Sequence, residues 1–483
     1  MTFAKSGMAA WLFAVLLALG GCASVPGGTA APVAAQWASS ADGARKLARQ
    51  PDLALIPQAP AAQAGETAIT IDPAQRFQRI VGFGAGMTDA SAELIMALPE
   101  DRRAALLDDL FGRQGLNLSF LRLPIGASDF SREHYSFDDM PAGGTDPALA
   151  QFSMVKASPQ LAATKAAQAR HPGLVLMASP WSAPGWMKTS DSLITGRLAP
   201  QHFADFAAYL DRYLAEMQRQ GLGIAYLTIQ NEPHFEPKDY PGMRVDPAAR
   251  AALVGQHLGP LLARHRRAAR ILDWDHNWNE PESPLAVLSD PAASRYIAGV
   301  AWHCYGGDVS AQAQVAAAYP GKEVFFTECS GGAWAPDWGG TLGWMTDKLI
   351  IGSSRTGSRG TLLWNLALDE RSGPHKGGCG DCRGVVTIDS RSGAVTRNVE
   401  YYVLGHAARF VQRGARRIAS TSADSGVGAI THVAFANPDR SLVLIAHNPG
   451  AVAVMLRVQA GSRGFAVSLP PGEVATFVWP QKR

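Results

Sequence analysis

The chain has 483 residues, 47% of them hydrophobic and 18% charged, which excludes disorder for most of its length. That length suits roughly two to four domains, or one large barrel with an attachment. Lys+Arg 44 against Asp+Glu 41 leaves a net charge of +3, too balanced for a dedicated nucleic-acid binder.

The first element is an export signal. Lys5 precedes an apolar run from Met8 to Leu19 that is too short to span a bilayer. It ends in Leu19-Gly20-Gly21-Cys22, which resembles a bacterial lipoprotein signal. In such a signal the cysteine carries the lipid and becomes the mature N-terminus. Cys22 would then anchor the protein in the cell envelope, and Ala23 after it favours the outer membrane. An ordinary cleaved signal that ends near a cysteine is the other reading. Residues 1–21 are taken as the signal and 22–64, rich in Ala and Pro, as a spacer. No later run approaches 18 apolar residues.

From residue 79 one pattern repeats. A short apolar run ends in polar or aromatic residues, and a helical stretch follows. The runs are 79–86, 119–126, 174–181, 224–232, 270–277, 297–305, 323–329 and 361–368. The clearest helical stretches are 90–111, 201–220, 248–265 and 342–352. Continuous apolar strands alternating with helices predict a parallel sheet covered on both faces. Eight such units predict an α/β fold, a closed (β/α)8 TIM barrel over residues 65–400; a doubly wound open sheet is the competing fold. Residues 401–483 change character. After a helix near 398–411 come short alternating strands separated by turns such as Asn437-Pro438-Asp439, which predicts an associated C-terminal β-sandwich domain. Glu66–Asp72 alternates too, so residues 65–78 can add a strand to that domain.

The C-terminal strand ends of such a barrel carry its chemistry. In order they offer Asp89, Arg122, Trp181, Asn231-Glu232, Asp275-His276-Asn277, His303 with Tyr305, Glu328, and Trp364-Asn365. Glu232 and Glu328 stand out, because each follows an apolar strand where an unpartnered carboxylate is costly. Coming from runs four and seven, they can face each other across the mouth. Two carboxyl groups flanking a glycosidic bond are what glycoside hydrolysis needs, one as proton donor and one as nucleophile. Asp273, Asp275 and His276 read as a polar rim rather than a metal site. Gly82-x-Gly84-x-Gly86 lacks the spacing of a dinucleotide fingerprint. No cofactor and no metal is expected, since side chains supply both the proton and the nucleophile.

The four remaining cysteines are Cys304, Cys329, Cys379 and Cys382. Cys379-Gly-Asp-Cys382 lies in a Gly-rich loop, where export permits either a disulfide staple or two free thiols. A zinc site would need a second pair at matching spacing.

Several long motifs occur in a telling order. They are Gly82-Phe-Gly-Ala-Gly-Met-Thr-Asp89, Leu121-Arg-Leu-Pro124, Ala178-Ser-Pro-Trp-Ser-Ala-Pro-Gly-Trp-Met-Lys188, Thr228-Ile-Gln-Asn-Glu-Pro233, Thr327-Glu-Cys329 and Trp364-Asn-Leu-Ala-Leu368. Together they resemble glycoside hydrolase family 30, the family of glucosylceramidase, from about residue 70 to the C-terminus. The resemblance implies Glu232 as acid/base and Glu328 as nucleophile of a retaining enzyme. It implies Asn231 on the sugar 2-OH, and Asp89, Trp181 and Trp364 on the sugar's outer hydroxyls and face. His303 and Tyr305 match a family His-x-Tyr, with Tyr305 able to hydrogen-bond Glu328, and Arg122 would keep the nucleophile charged. The loop 373–384 departs from animal glucosylceramidase and looks closer to members that include endo-β-1,6-glucanases. The expected partner is therefore a β-glucoside of glucosylceramide type or, alternatively, a β-1,6-glucan. A carbohydrate-binding lipoprotein without turnover is the remote reading. Trp334 and Trp338 would line further sugar subsites or simply pack a loop.

Overall fold

The structure, a computed structural model, describes residues 32–57, 63, 65–422 and 428–481. The expected export signal and Cys22 lie outside these residues. Among the described residues no helix is long and apolar enough to cross a membrane.

Eight parallel strands close into a barrel: Gly82–Gly86, Phe120–Ile125, Val175–Pro180, Ile224–Thr228, Arg270–Asn277, Ile297–His303, Glu323–Glu328 and Ser358–Asn365. Each falls on one of the eight apolar runs. They are buried on both faces, which is why they read as continuous hydrophobic stretches. Closure demands close approach at the first strand. A Cβ on Gly84 would lie 1.7 Å from the Phe120 carbonyl oxygen, so glycine is needed there for packing rather than for a nucleotide.

Helices cover the barrel. The single helix expected over 90–111 is two, Asp89–Ala97 and Glu100–Phe111, broken at Leu98-Pro99. Proline removes a donor and restrains the residue before it, so the break is written in the chain. The stretch Phe203–Arg219 buries Phe206, Leu210, Tyr213 and Met217 at helical spacing against the strands.

The β-domain is a nine-stranded sheet whose two edge strands meet through a bridge between Ile56 and Gly464. The sheet thus folds over its own core of Ile69, Ile418, Leu444, Leu456, Phe465 and Phe477. Here the spacer reading is corrected. Val33–Ser39 and Ala48–Ala54 are strands of this sheet, and Val33–Ser39 pairs on one side with Ala48–Ala54 and on the other with Val474–Pro480. Glu66–Arg79 joins as well, longer than the alternating stretch in the sequence. Val33–Ser39 escaped notice because its inward residues, Ala34, Gln36 and Ala38, are small or polar and give little alternation.

Candidate active site

Along most strands the inward residues alternate, so the residue two positions beyond an interior apolar one also faces the barrel axis. Phe120, Met177, Tyr226, Ala301, Phe325 and Leu362 form an interior apolar layer. Two residues further on stand Arg122, Ser179, Thr228, His303, Thr327 and Trp364. The fifth strand breaks the rule. Leu272 belongs to the apolar layer, yet Asp275, not Trp274, enters the polar one. Trp274 and Asp275 both have positive φ, 77° and 52°, and the strand register shifts between Trp274 and His276. This bulge turns Trp274 outward, where it packs under Arg250, and brings Asp275 inward. Two such non-glycine residues cost about 1–3 kcal/mol each, strain of the kind that gathers at functional sites.

Asp275 is the hub of the layer. One of its oxygens accepts from Arg122 (2.8 Å), Ser179 (2.7 Å) and Thr228 (2.8 Å). The other accepts from Thr327 (2.7 Å) and faces His303 Nε2 at 3.0 Å. Arg122 is wholly buried and donates to Glu328 (2.6 Å) and Asn231 (2.6 Å) as well. Tyr305 donates to the other oxygen of Glu328 at 3.0 Å. His303 Nδ1 lies 3.2 Å from Glu232 Oε1 and 3.9 Å from Glu328 Oε1. One nitrogen thus reaches both acids, which holds their nearest oxygens within about 7 Å, inside the range over which carboxyl pairs cleave glycosides. Glu232 itself has φ 50°, and its backbone N–H donates to the Asp275 carbonyl at 3.0 Å.

Charge and hydrogen bonding decide where the protons lie. Burial alone would lower the His303 pKa, but the carboxylates of Glu328, Asp275 and Glu232 push it up to about 9. It is an imidazolium at neutral pH. Burial raises the pKa of Glu232, while His276 and His303 pull it below the ordinary carboxylate range. At Glu328 burial outweighs the lowering by His303 and Arg122. Burial alone would thus leave a shared proton on Glu328. The hydrogen bonds argue the reverse. A guanidinium can only donate, and Glu328 accepts from Arg122 on one oxygen and from Tyr305 on the other. Glu328 is held as the carboxylate, and the exchangeable proton belongs to the Glu232–His303 pair.

A cavity of about 570 Å³ opens above this layer, walled by Glu232, Glu328, Asn231, Trp181, Trp364 and Tyr305 among others. Trp181 and Trp364 stack with ring centroids 4.8 Å apart, and Arg122 lies over Trp181. Since the Asn231 oxygen is taken by Arg122, its amide N–H₂ is the group free to meet a ligand. Arg122 lies against Glu328, where the resemblance implied it, and His303 sits between the two acids. Arg122 and His303 are fully buried and off the cavity wall, so they act through the acids. Asp89 accepts from Ser131 (2.6 Å) and Tyr135 (2.8 Å) on one oxygen and so pins the loop after the second strand. That loop presents Asp129 to the cavity as well. Burial, then the facing charges of Glu328 and Glu232, push Asp129 up to about 8, which makes it a neutral donor at pH 7. Asp129, Asp275 and His276 were the residues sequence reasoning left without a role. Asp129 lay four residues past the run-two strand, beyond where that strand's end was read.

Trp334 lines the cavity. Trp338 does not; it donates to the Ser40 carbonyl and packs edge-on to Tyr402. Cys379 and Cys382 are bonded to each other in the cavity wall, and Cys304 is bonded to Cys329, beside Tyr305 and Glu328. Ligand atoms of Glu232, His276 and His303 lie within 4.8 Å of one another. With its pKa pushed up to about 9, His303 carries a proton on each ring nitrogen at neutral pH and then has no lone pair to give a metal.

Two carboxyl groups over a barrel, with a stacked aromatic pair beside them, define a glycoside-cleaving site. The chain matches the glycosyl hydrolase family 30 TIM-barrel domain over residues 80–411 and that family's beta sandwich domain over 414–477. It belongs to glycosyl hydrolase family 30. It is 33% identical over 460 residues to an endo-1,6-beta-D-glucanase of Neurospora crassa, covering 90% of this chain and 93% of the relative. It is 28% identical over 444 residues to the lysosomal acid glucosylceramidase of Mus musculus, covering 85% and 83%. Among solved structures it superposes on an endo-beta1,6-glucanase with a TM-score of 0.84 and 29% identity, covering 93% of this chain and 100% of that one.

Proposed function

We propose that this glycosyl hydrolase cleaves β-1,6-linked glucan with retention of configuration. The observation that carries the mechanism is the single imidazole between the two acids, at 3.2 and 3.9 Å. Glu328 attacks the anomeric carbon and the bond from that carbon to the leaving oxygen breaks. The proton of the Glu232–His303 pair passes through Glu232 to that oxygen. Esterified Glu328 no longer carries a charge, so Glu232 loses a neighbour that favoured its protonated form and becomes a base. It then takes a proton from water, the water oxygen bonds to the anomeric carbon, and the ester bond to Glu328 breaks.

The sequence reading put glucosylceramide ahead of β-1,6-glucan. The higher identity to the fungal glucanase, 33% against 28%, supports the opposite order. Glucosylceramide is the second reading, supported by the same stacked Trp181–Trp364 pair in the cavity wall, which suits a terminal glucose. We further propose export and lipid anchoring at Cys22, which the two disulfides support as marks of an oxidising compartment. Products from β-1,6-glucan and from glucosylceramide, resolved side by side, test the substrate. A ladder of β-1,6-oligosaccharides is expected; glucose released only from the lipid would overturn the glucan reading.

A further inference from the structure

A second cavity, of about 420 Å³, adjoins the catalytic one. Tyr305 and Trp334 stand in the walls of both. Beyond them it is bounded by Thr341, Trp344 and Met345 of the helix Trp338–Met345 and by the Cys304–Cys329 bridge. Tyr305, Trp334 and Trp344 are 45%, 54% and 45% exposed, although large apolar side chains elsewhere in the barrel are mostly buried. None of the three is needed to fill the core.

Topology fixes which side of the scissile bond this annex serves. One wall of the catalytic cavity comes from Asp129, Trp181 and Trp364, after strands two and three and on strand eight. The annex is built after strands six and seven, on the far side of the Glu232–Glu328 pair. A glycosyl unit held against that wall therefore points its leaving group toward Tyr305 and Trp334. Flat exposed rings with a few hydroxyls between them suit the apolar faces and hydroxyl edges of pyranose rings.

We propose that the annex around Trp344 binds the glucosyl units of a β-glucan chain on the leaving-group side, so that the enzyme engages chain interiors rather than only chain ends. This rests on the glucan reading above. Trp344 is the informative residue, since it touches no wall of the catalytic cavity.

The test compares wild type with Trp344→Ala, and with Trp344→Phe, on an aryl β-glucoside, on glucosylceramide and on β-1,6-gluco-oligosaccharides of increasing length. The expected result is a loss of about tenfold in kcat/KM confined to the longer oligosaccharides, with Trp344→Phe recovering most of it and the aryl glucoside unaffected. Equal losses on both substrates, or none on the long ones, would overturn the annex. A loss confined to a glucosylated lipid would overturn it too, by making the occupant an acyl chain. If wild type cleaves no β-1,6-glucan at all, the glucan reading itself fails, which is distinguishable from failure of the annex.

Discussion

The two ends of the barrel interior are built on the same strands and solve opposite problems. Below, Phe120, Tyr226 and Phe325 pack with ring centroids 4.6–6.2 Å apart among Met177, Leu272 and Leu362. That layer gains stability from burial. One inward position higher, Arg122, Asp275 and His303 are equally buried and fully charged. Buried charge is weak as a source of stability, because desolvation offsets the attraction. Its retention here is explained by the task. It holds one acid as a carboxylate and a proton beside the other. The lower layer makes the barrel, and the upper one makes it an enzyme.

The strongest way to break that comparison is Glu328→Gln. The amide can still accept from Arg122, but it cannot attack carbon. Turnover should fall by about 10⁴ or more, with far less change in the melting temperature. Steady-state rates and a thermal melt on the same preparation check this. If the rate stayed within tenfold, the nucleophile would be elsewhere.

Asp275→Asn tests the hub. It leaves Arg122 with one carboxylate instead of two and removes the anion at His303 Nε2. Removing one partner of a buried charge pair costs about 3–5 kcal/mol. Turnover should fall as well, since Glu328 and Glu232 are both held through groups that Asp275 orients. Urea unfolding and kcat measured together decide it. A stability loss with unchanged kcat would mean the hub is purely structural.

Phe120→Ala is the mirror experiment in the lower layer. Truncating a buried phenylalanine costs about 3–5 kcal/mol. The folded fraction should keep the kcat of the wild type, because Arg122 is held from above by Glu328, Asn231 and Asp275. A large drop in kcat below the melting transition would show that the two layers are coupled.

The lower layer was also the more legible in the chain. Parallel strands buried on both faces write themselves as apolar runs, and all eight were found that way. Glu232 and Glu328 were legible because a carboxylate at the end of such a run is rarely idle. The hub was not, because the bulge at Trp274–Asp275 places two non-glycine residues at positive φ with no glycine to mark it. Simple alternation from Leu272 would have put Trp274 inside. The partner of Cys304 was equally hidden, since spacing alone does not determine connectivity. The strand at 33–39 went unseen because its inward residues are small or polar, and that at 48–54 because it is largely polar and buries no residue fully.

The smallest effect expected is also the most specific to the upper layer. The His303 pKa is raised from 6.5 to about 9 by the carboxylates around it. A raised value means the folded state holds the proton more tightly than the unfolded chain. The stabilisation is therefore complete below about pH 6.5 and is lost as pH climbs through about 9. Wild type should lose stability and activity together over that window. His303→Gln keeps a side-chain donor but cannot titrate, so its stability should be lower at pH 6 and flatter between pH 6.5 and 9. Asp129, raised from 3.8 to about 8, contributes in the same direction, so a part of the slope should survive in the variant and vanish only when Asp129→Asn is added. Melting curves at half-unit pH steps for the three proteins separate the two groups. A slope unchanged by His303→Gln would mean that the imidazole between the acids is neutral, and that the proton for the leaving group starts on Glu232 itself.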